Sequence, residues 1–350
     1  MNHFNKRIAN IPQNLWSLIN QIDELKGQWV GGAKINPQAL GRLRRSVLVT
    51  STGASTRIEG AKLSDEDIEK MMRGLSMQKF ADRDIQEVQG YYELLENVFN
   101  AWNSIPLSES TIKHLHRELL KYVEKDKLHR GEYKKIENKV EMINEAGQSI
   151  GTLFDTTPAY LTPKEMQELV EWTREAIVLK EIHPLLIIGN FLVEFLNIHP
   201  FQDGNGRLSR VLTNLLLIQS GYAYTPYVSH EKLVEDNKAE YYIALRKSQK
   251  TLKEEKADIT PWLEFFFHVL LKQSKQAIEL LSKENIEKLL SPKQLLVWKY
   301  LEQIEEATPG EIAKATGVAR PTVSQALDTL LRLKKVERIG QGRTTRYKKK

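Results

Sequence analysis

The chain contains no cysteine. Disulfides, thiol nucleophiles, cysteine-ligated zinc and iron–sulfur clusters are therefore excluded. A long hydrophobic run is missing too: the most apolar stretch, residues 184–198, is too short to span a bilayer and contains Asn190 and Glu194. The opening MNHFNKRIANIPQ has no apolar core of signal-peptide length, so the expectation is a cytoplasmic protein with no membrane partner. Strand signals are scarce. What the chain does have is globular composition, with 350 residues, 41% of them apolar and 27% charged, enough for two or three domains.

Net charge is nearly absent until the end of the chain. Residues 332–350 carry nine Lys and Arg against Glu337 alone, so the overall +6 belongs to this last segment. Elsewhere helical period dominates: Leu15 to Leu25, Ser64 to Arg73, Asp84 to Trp102, Ser110 to Val123 and Pro163 to Leu179. Ser64 and Asp67 read as a capping box opening one of these helices, and Gly74 as its end. The exception is residues 136–154, where Ile136, Val140 and Met142 alternate, Asn144 to Gly147 offers a turn, and Ile150 to Phe154 can return. This predicts one β-hairpin in a mainly α protein. The expected divisions are an N-terminal helical region (1–105), a core (106–285) and a small C-terminal domain (290–350), with a boundary between residues 282 and 294.

The sequence HPFQDGNGR, residues 199–207, lies between two apolar stretches. Upstream, PLLIIGNFLVEFLNI is apolar on nearly every face; downstream, Leu208, Val211, Leu212, Leu215 and Leu216 keep i, i+3, i+4 spacing up to Gly221. The nonapeptide thus links two core helices and places DGNG at the N-terminus of the second. Free N–H groups, the helix dipole and missing Cβ atoms make such a place an anion site. Arg207 and Arg210, three apart, are expected to face the same ligand, and two cations suit a polyphosphate. A calcium loop would need ligands where Phe201 and Leu212 stand. A Walker A loop needs lysine where Arg207 stands, and a dinucleotide fingerprint needs glycine at Ser209.

IHPFQDGNGRLSR resembles the signature of the Fic (filamentation induced by cAMP) family, HPFx(D/E)GNGRxxR, matching at every specified position. The likeness continues through STRIEG, the hairpin, GYAYTPYVS, EYYIALRKSQ and WLEFFF, over roughly residues 40–275. Lys134 departs from it where arginine is frequent, and Leu192 where histidine is; neither is expected to touch the chemistry. The resemblance implies a Fic-type helical core with a hairpin flap, and transfer of AMP from ATP to a Ser, Thr or Tyr hydroxyl of a protein. It further implies that His199 takes the hydroxyl proton, and that Asp203 holds Mg²⁺ on the α- and β-phosphates. The N–H groups of Gly204, Asn205 and Gly206, with the Asn205 side chain, would stabilise the α-phosphoryl oxygens, and Arg207 would neutralise the departing pyrophosphate. Phe201 is expected to plug the core. The flap would lay the target segment beside the loop by strand-edge pairing.

Ser55 to Gly60, STRIEG, resembles the family's inhibitory motif (S/T)xxxE(G/N), so Glu59 is expected to pair with Arg210 and take the cation that the γ-phosphate needs. In some members the same glutamate supports removal of AMP, which leaves the net direction open. The remaining histidines, His116 among them, read as surface or core residues.

At the C-terminus, Leu295 to Ile304, TPGEIAKATG and Thr322 to Leu333 read as three helices, and VERIGQGRTTRYK as a hairpin turning at Gly340 to Gly342. This looks like a winged helix-turn-helix. DNA contacts are then expected from Arg320, Thr322, Ser324 and Gln325 on the third helix and from Arg343 and Arg346 on the wing. A dense positive stretch repels itself without an anionic partner, which favours DNA over a protein-interaction role. Three functions remain: an autoinhibited protein adenylyltransferase acting on another protein or itself, a nucleotide-sensing transcription regulator, and a phosphohydrolase. A homodimer is compatible with all three.

Overall fold

The computed structural model describes residues 2–32, 37–74, 82–143, 149–332, 335–340 and 345–350. It is mainly helical, and its chain divides into two compact units, Met1–Ile278 and Glu279–Lys350. The first unit begins with α1 (His3–Ile8), α2 (Gln13–Gly32), α3 (Pro37–Ile58), α4 (Asp65–Met72), α5 (Asp82–Ala101) and α6 (Glu109–Leu119). An antiparallel hairpin follows, β1 (Lys139–Ile143) and β2 (Ser149–Asp155), with Lys139 opposite Asp155 and Ile143 opposite Ser149. Next come α7 (Thr162–Leu179), α8 (Pro184–Ile198), α9 (Asn205–Gln219), α10 (His230–Asp236) and α11 (Lys238–Gln249). The division between units falls inside α12 (Thr260–Leu289). No helix among the described residues is long and apolar enough to cross a membrane.

The sequence explains the centre of this unit. Every residue of α8 from Leu185 to Ile198 is buried, as a helix apolar all round must be, and α9 is buried from Arg207 to Ile218. Around this pair, α7 packs on α8, α5 packs on α3, α6 and α9, and α10 packs on α3. The expected N-terminal region therefore shares one unit with the core. Arg57 fastens the end of α3, bonding Asp65 at 2.9 Å and Glu235 at 2.6 Å. The Ser64–Asp67 capping box opens α4, and Gly74 adopts φ +77° beyond its end.

Two elements differ from expectation. Helix α6 stops at Leu119 rather than Val123, because Leu120 and Val123 are both buried by the turn that follows and their packing overrides the periodicity. The first hairpin strand starts at Lys139, not Ile136; Lys134 and Asn138, on either side of Ile136, bond the 198–201 segment instead of entering a ladder. The turn expected at Asn144 to Gly147 lies outside the described residues.

The second unit consists of α13 (Pro292–Leu301), α14 (Pro309–Thr316), α15 (Arg320–Arg332) and the antiparallel pair β3 (Val336–Ile339) and β4 (Arg346–Lys349). Val297, Leu301, Ile312, Val323, Leu327, Leu330 and Val336 form its core. Capping boxes at Ser291–Gln294 and Thr308–Glu311 start the first two helices, and Gly317 in the left-handed region ends the second. Where the sequence expects a boundary between residues 282 and 294, α12 is helical as far as Leu289 and the division between the units falls earlier, after Ile278.

A Cβ on Gly90 of α5 would lie 2.2 Å from the Leu119 carbonyl oxygen of α6. That oxygen is backbone and cannot swing aside. Gly90→Ala should therefore lower the unfolding free energy by about 1–3 kcal/mol through overpacking, despite alanine's helix propensity advantage of about 1 kcal/mol. Chemical denaturation checks this, and stability at or above that of the wild type would refute the close approach.

Candidate active site

The reversal between α8 and α9 begins with an unusual backbone. His199 caps α8 at φ +52°, in the left-handed region, and its N–H bonds Phe195 O at 3.0 Å. Gly204 at φ +78° caps the start of α9. Between them Phe201 is fully buried, its ring stacked on His116 at 3.8 Å between centroids and 7° between planes. The Asn205 side chain closes the loop on itself: Oδ1 accepts the Phe201 N–H at 2.9 Å and Nδ2 donates to Phe201 O at 2.8 Å. The side chain thus has a role in holding the loop that the sequence did not suggest. One amide N–H and the amide oxygen are committed to the loop, and the backbone N–H, at the first turn of α9, is available to an anion.

Seven of the expected site residues line one cleft of about 160 Å³. Its polar wall is His199, Asp203, Gly204 to Arg207 and Glu59, and its apolar wall includes Leu196, Tyr241, Tyr242 and Leu245. Arg207 and Arg210, however, do not face one common ligand. Arg207 is buried in a closed ring of four charges: its Nη1 meets Glu87 Oε2 at 2.8 Å and its Nη2 meets Asp203 Oδ1 at 3.1 Å. Arg83 completes the ring, with Nε on Glu87 Oε1 at 2.7 Å and Nη2 on Asp203 Oδ2 at 2.9 Å. Arg210 instead turns to α3, bonding Ser55 Oγ at 2.8 Å, Ser55 O at 2.9 Å and Glu59 Oε1 at 2.8 Å. Gly206 admits this contact, since a Cβ there would lie 2.3 Å from Glu59 Oε1.

The electrostatics follow from these partners. Burial pushes the Glu59 carboxyl up, but the charge and hydrogen bond of Arg210 outweigh it and hold the group below its usual range. Asp203 behaves alike: burial raises it, and Arg207, the Gly204 N–H and Arg83 bring it lower. Desolvation lowers His199 to about 4, so its imidazole is neutral at pH 7. Its Nδ1 lies 3.4 Å from Leu196 O, which makes Nδ1–H the donor and leaves Nε2 as the basic nitrogen.

Sequence reasoning passed over several residues that hold this site. His116 is wholly buried. Its Nδ1 accepts the Gly131 N–H at 2.9 Å, so its Nε2–H donates to Asp203 O at 2.9 Å, and burial lowers its pKa to about 4. Its spacing from Ile112 and Leu119 on one face of α6 was the available signal for burial. Arg83 and Glu87 read locally as one more i, i+4 helix pair, and nothing in the sequence shows that their other partners, Asp203 and Arg207, lie 120 residues away. Lys134 was expected to stay clear of the chemistry, yet its Nζ donates to Ile198 O at 3.0 Å, immediately before His199. Leu192 is a buried member of α8. The C-terminal candidates belong to the other unit. Arg320, Ser324 and Gln325 are exposed and Thr322 is half-buried, Arg346 faces Glu306 at 3.5 Å and Glu311 at 3.8 Å, and Arg343 lies outside the described residues.

His116→Phe would keep the stack on Phe201 but leave the Gly131 N–H and Asp203 C=O without partners. The expected loss is about 2–4 kcal/mol of stability, from about 1–3 kcal/mol per unsatisfied buried group, with faster hydrogen exchange at residues 203–206. Unchanged exchange there would show that the histidine does not hold the loop.

Comparison with known proteins adds independent findings. Residues 106–217 match the Fic/DOC family. A probable protein adenylyltransferase of Aquifex aeolicus is 24% identical over 299 residues, covering 83% of this chain and 82% of that protein. The protein adenylyltransferase fic-1 of Caenorhabditis elegans is 30% identical over 96 residues, covering 27% of this chain and 17% of that protein. Among solved structures, a Fic family protein from Desulfovibrio desulfuricans aligns over 97% of both chains with a TM-score of 0.63 at 24% identity, a likeness of fold. The matched segment contains α6, the hairpin, the His199 loop and most of α9. The match to the Fic/DOC family thus falls on the segment that carries the His199 loop.

Proposed function

We propose that the chain is a protein adenylyltransferase that moves AMP from ATP to a Ser, Thr or Tyr hydroxyl of a protein and is held in check by Glu59. The observation that carries this reading is the Glu59 carboxylate seated over Gly206 and bonded to Arg210, inside the cleft lined by His199 and Asp203. A carboxylate there takes the place that the helix N-terminus and the arginine offer a phosphate. The adenylyltransferase names of the Aquifex and C. elegans relatives agree with it.

In this reading His199 Nε2 takes the proton of the target hydroxyl while the hydroxyl oxygen bonds the α-phosphorus and the bond to the pyrophosphate oxygen breaks. The N–H groups at the start of α9 stabilise the phosphoryl oxygens. Tyr241, Tyr242, Leu196 and Leu245 give an apolar wall suited to the nucleoside. Mg²⁺ fits the donors present: among the described residues no three acidic or histidine groups cluster, and a single carboxylate supplemented by substrate phosphates is a common way to hold this ion. Asp203 would hold it, and Arg83, far more exposed than Arg207, is the partner free to withdraw. Bound there, the ion would neutralise phosphate charge.

Glu59→Gly should raise AMP transfer by about two orders of magnitude, the equivalent of a few kcal/mol for a partly buried charged pair, and adding Arg210→Ala should remove most of that gain. His199→Ala should lower transfer by ~10²–10⁴-fold. Labelled ATP with a cell lysate, read by mass spectrometry, measures all of these. Transfer by Glu59→Gly no greater than that of the wild type would overturn the inhibitory role.

A second reading concerns Glu279–Lys350, which we propose contacts nucleic acid through the start of α15. Its fifteen Lys and Arg against nine Asp and Glu give +6, the whole net charge of the chain. Part of that charge is internally balanced: Arg346 faces Glu306 and Glu311, Lys348 faces Glu337 and Lys349 faces Glu302. Self-repulsion is thus a weaker argument than the sequence suggested, and exposed Arg320, Ser324 and Gln325 carry the proposal. Full-length protein should bind duplex DNA with affinity falling steeply as salt rises. Arg320→Ala and Gln325→Ala should alter sequence preference, and no binding at low salt would exclude the reading.

A further inference from the structure

The segment just before β1 grips the His199 loop by its carbonyl groups. Lys134 Nζ donates to Ile198 O at 3.0 Å and the Lys134 backbone N–H to Pro200 O at 2.8 Å. Asn138 Nδ2 donates to Phe201 O at 2.8 Å and lies 3.4 Å from His199 O. Four consecutive carbonyls, 198 to 201, are therefore met by two residues four apart in sequence. The lysine is almost fully buried, and its ammonium also bonds Asn138 Oδ1 and Thr156 Oγ1, each at 2.8 Å, so all three of its donors are used.

Asn138 immediately precedes β1 and Thr156 immediately follows β2. The Thr156 hydroxyl lies 2.8 Å from Asn138 O and 2.6 Å from its Oδ1. One ammonium thus ties both legs of the hairpin to the last carbonyl of α8, next to the imidazole that the proposed chemistry uses. A cation there also suits the negative end of the helix dipole.

We propose that Lys134 and Asn138 are positioning residues that fix the hairpin, and with it a target strand paired to its edge, at a set distance and register from His199. The inference rests on the adenylyltransferase reading for its consequence in catalysis, though not for the clamp itself. Misplacing a reactant by about 1 Å can cost ~10²-fold in rate, so a clamp of this kind acts on turnover rather than on ATP affinity. The lysine's charge has a second effect. Desolvation is the main reason the His199 imidazole stays unprotonated, and a cation beside it disfavours the imidazolium further.

The clamp should be pH-sensitive on the alkaline side. Burial lowers Lys134 to about 8, with Glu137 and Glu165 the acidic groups that oppose the shift and His199 the other titratable neighbour. The folded pKa lies below that of a free lysine, so the ammonium is present at pH 7 and lost as pH rises through about 8. Arginine at this position would stay charged throughout.

The test uses the full-length chain in the Glu59→Gly background, alone and with Lys134→Met or Lys134→Arg. Lys134→Met should lower kcat for target labelling by about 10–100-fold with the KM for ATP little changed. Lys134→Arg should restore turnover and hold it above pH 8, where the parent declines. Parallel NMR titration of the His199 imidazole in the wild-type chain should give a higher pKa in Lys134→Met and no rise in Lys134→Arg. Equal kcat in the parent and Lys134→Met, or a loss matched by lost ATP binding, overturns the proposal. If the parent transfers no AMP, the adenylyltransferase reading fails by itself. The clamp is then judged on the imidazole titration and on hydrogen exchange at 139–143, and it falls if both are unchanged in Lys134→Met.

Discussion

Six residues, His199 to Gly204, reverse the chain between two helices that are buried almost throughout, and the rest of the first unit is arranged to hold that reversal. Two left-handed residues, His199 and Gly204, bracket it. No regular ladder takes up its backbone polar groups, and several are met individually: by Lys134 and Asn138 on one side, by Asn205 from within and by His116 beneath. A non-glycine residue in the left-handed region is strained. It persists here because several independent contacts fix the same conformation, and rigidity at this point is what a site needs for placing one imidazole against a phosphorus atom.

Charge is handled by the same logic. Arg207 and Arg210 are buried, and a buried cation without a counterion costs several kcal/mol. The unit therefore carries its own anions: Glu87 and Asp203 for one arginine, Glu59 for the other. In the proposed function, binding a triphosphate is an exchange of ionic partners. Its affinity is the difference between two sets of charged contacts, so each internal carboxylate weakens the ligand by roughly what it contributes to the empty site. This also explains why two arginines three apart on one helix turn to different elements: each has been given a separate counterion.

The helices around the core and the loop between α8 and α9 were legible because they rest on local period and on a contiguous motif. The pairing of Glu59 with Arg210 was legible only because two motifs occurred in one chain. His116, Glu87, Arg83 and Asn138 were not, since a hydrogen-bond partner 60–120 residues away leaves no local pattern. Asn205 was assigned to the ligand although its side chain serves the loop, because a motif shows which residues are present and not which way their polar atoms turn. The start of the hairpin was misjudged for the same reason: Ile136 alternates correctly with Val140 and Met142, but its neighbours are drawn to the carbonyls at the end of α8.

The missing Cβ at Gly206 has a further consequence. The space it leaves fits a carboxylate that is part of the same molecule, joined to the site through α3. Such an anion has an effective concentration set by geometry, on the order of mM or higher for short connections, and no dilution of the protein changes it. In the proposed function, inhibition of this kind would be as strong in a cell holding a few copies as in a concentrated solution. Its strength depends on how firmly α3 is seated, so an event that loosens that helix, however far from the cleft, would act on the site as though an inhibitor had been diluted away.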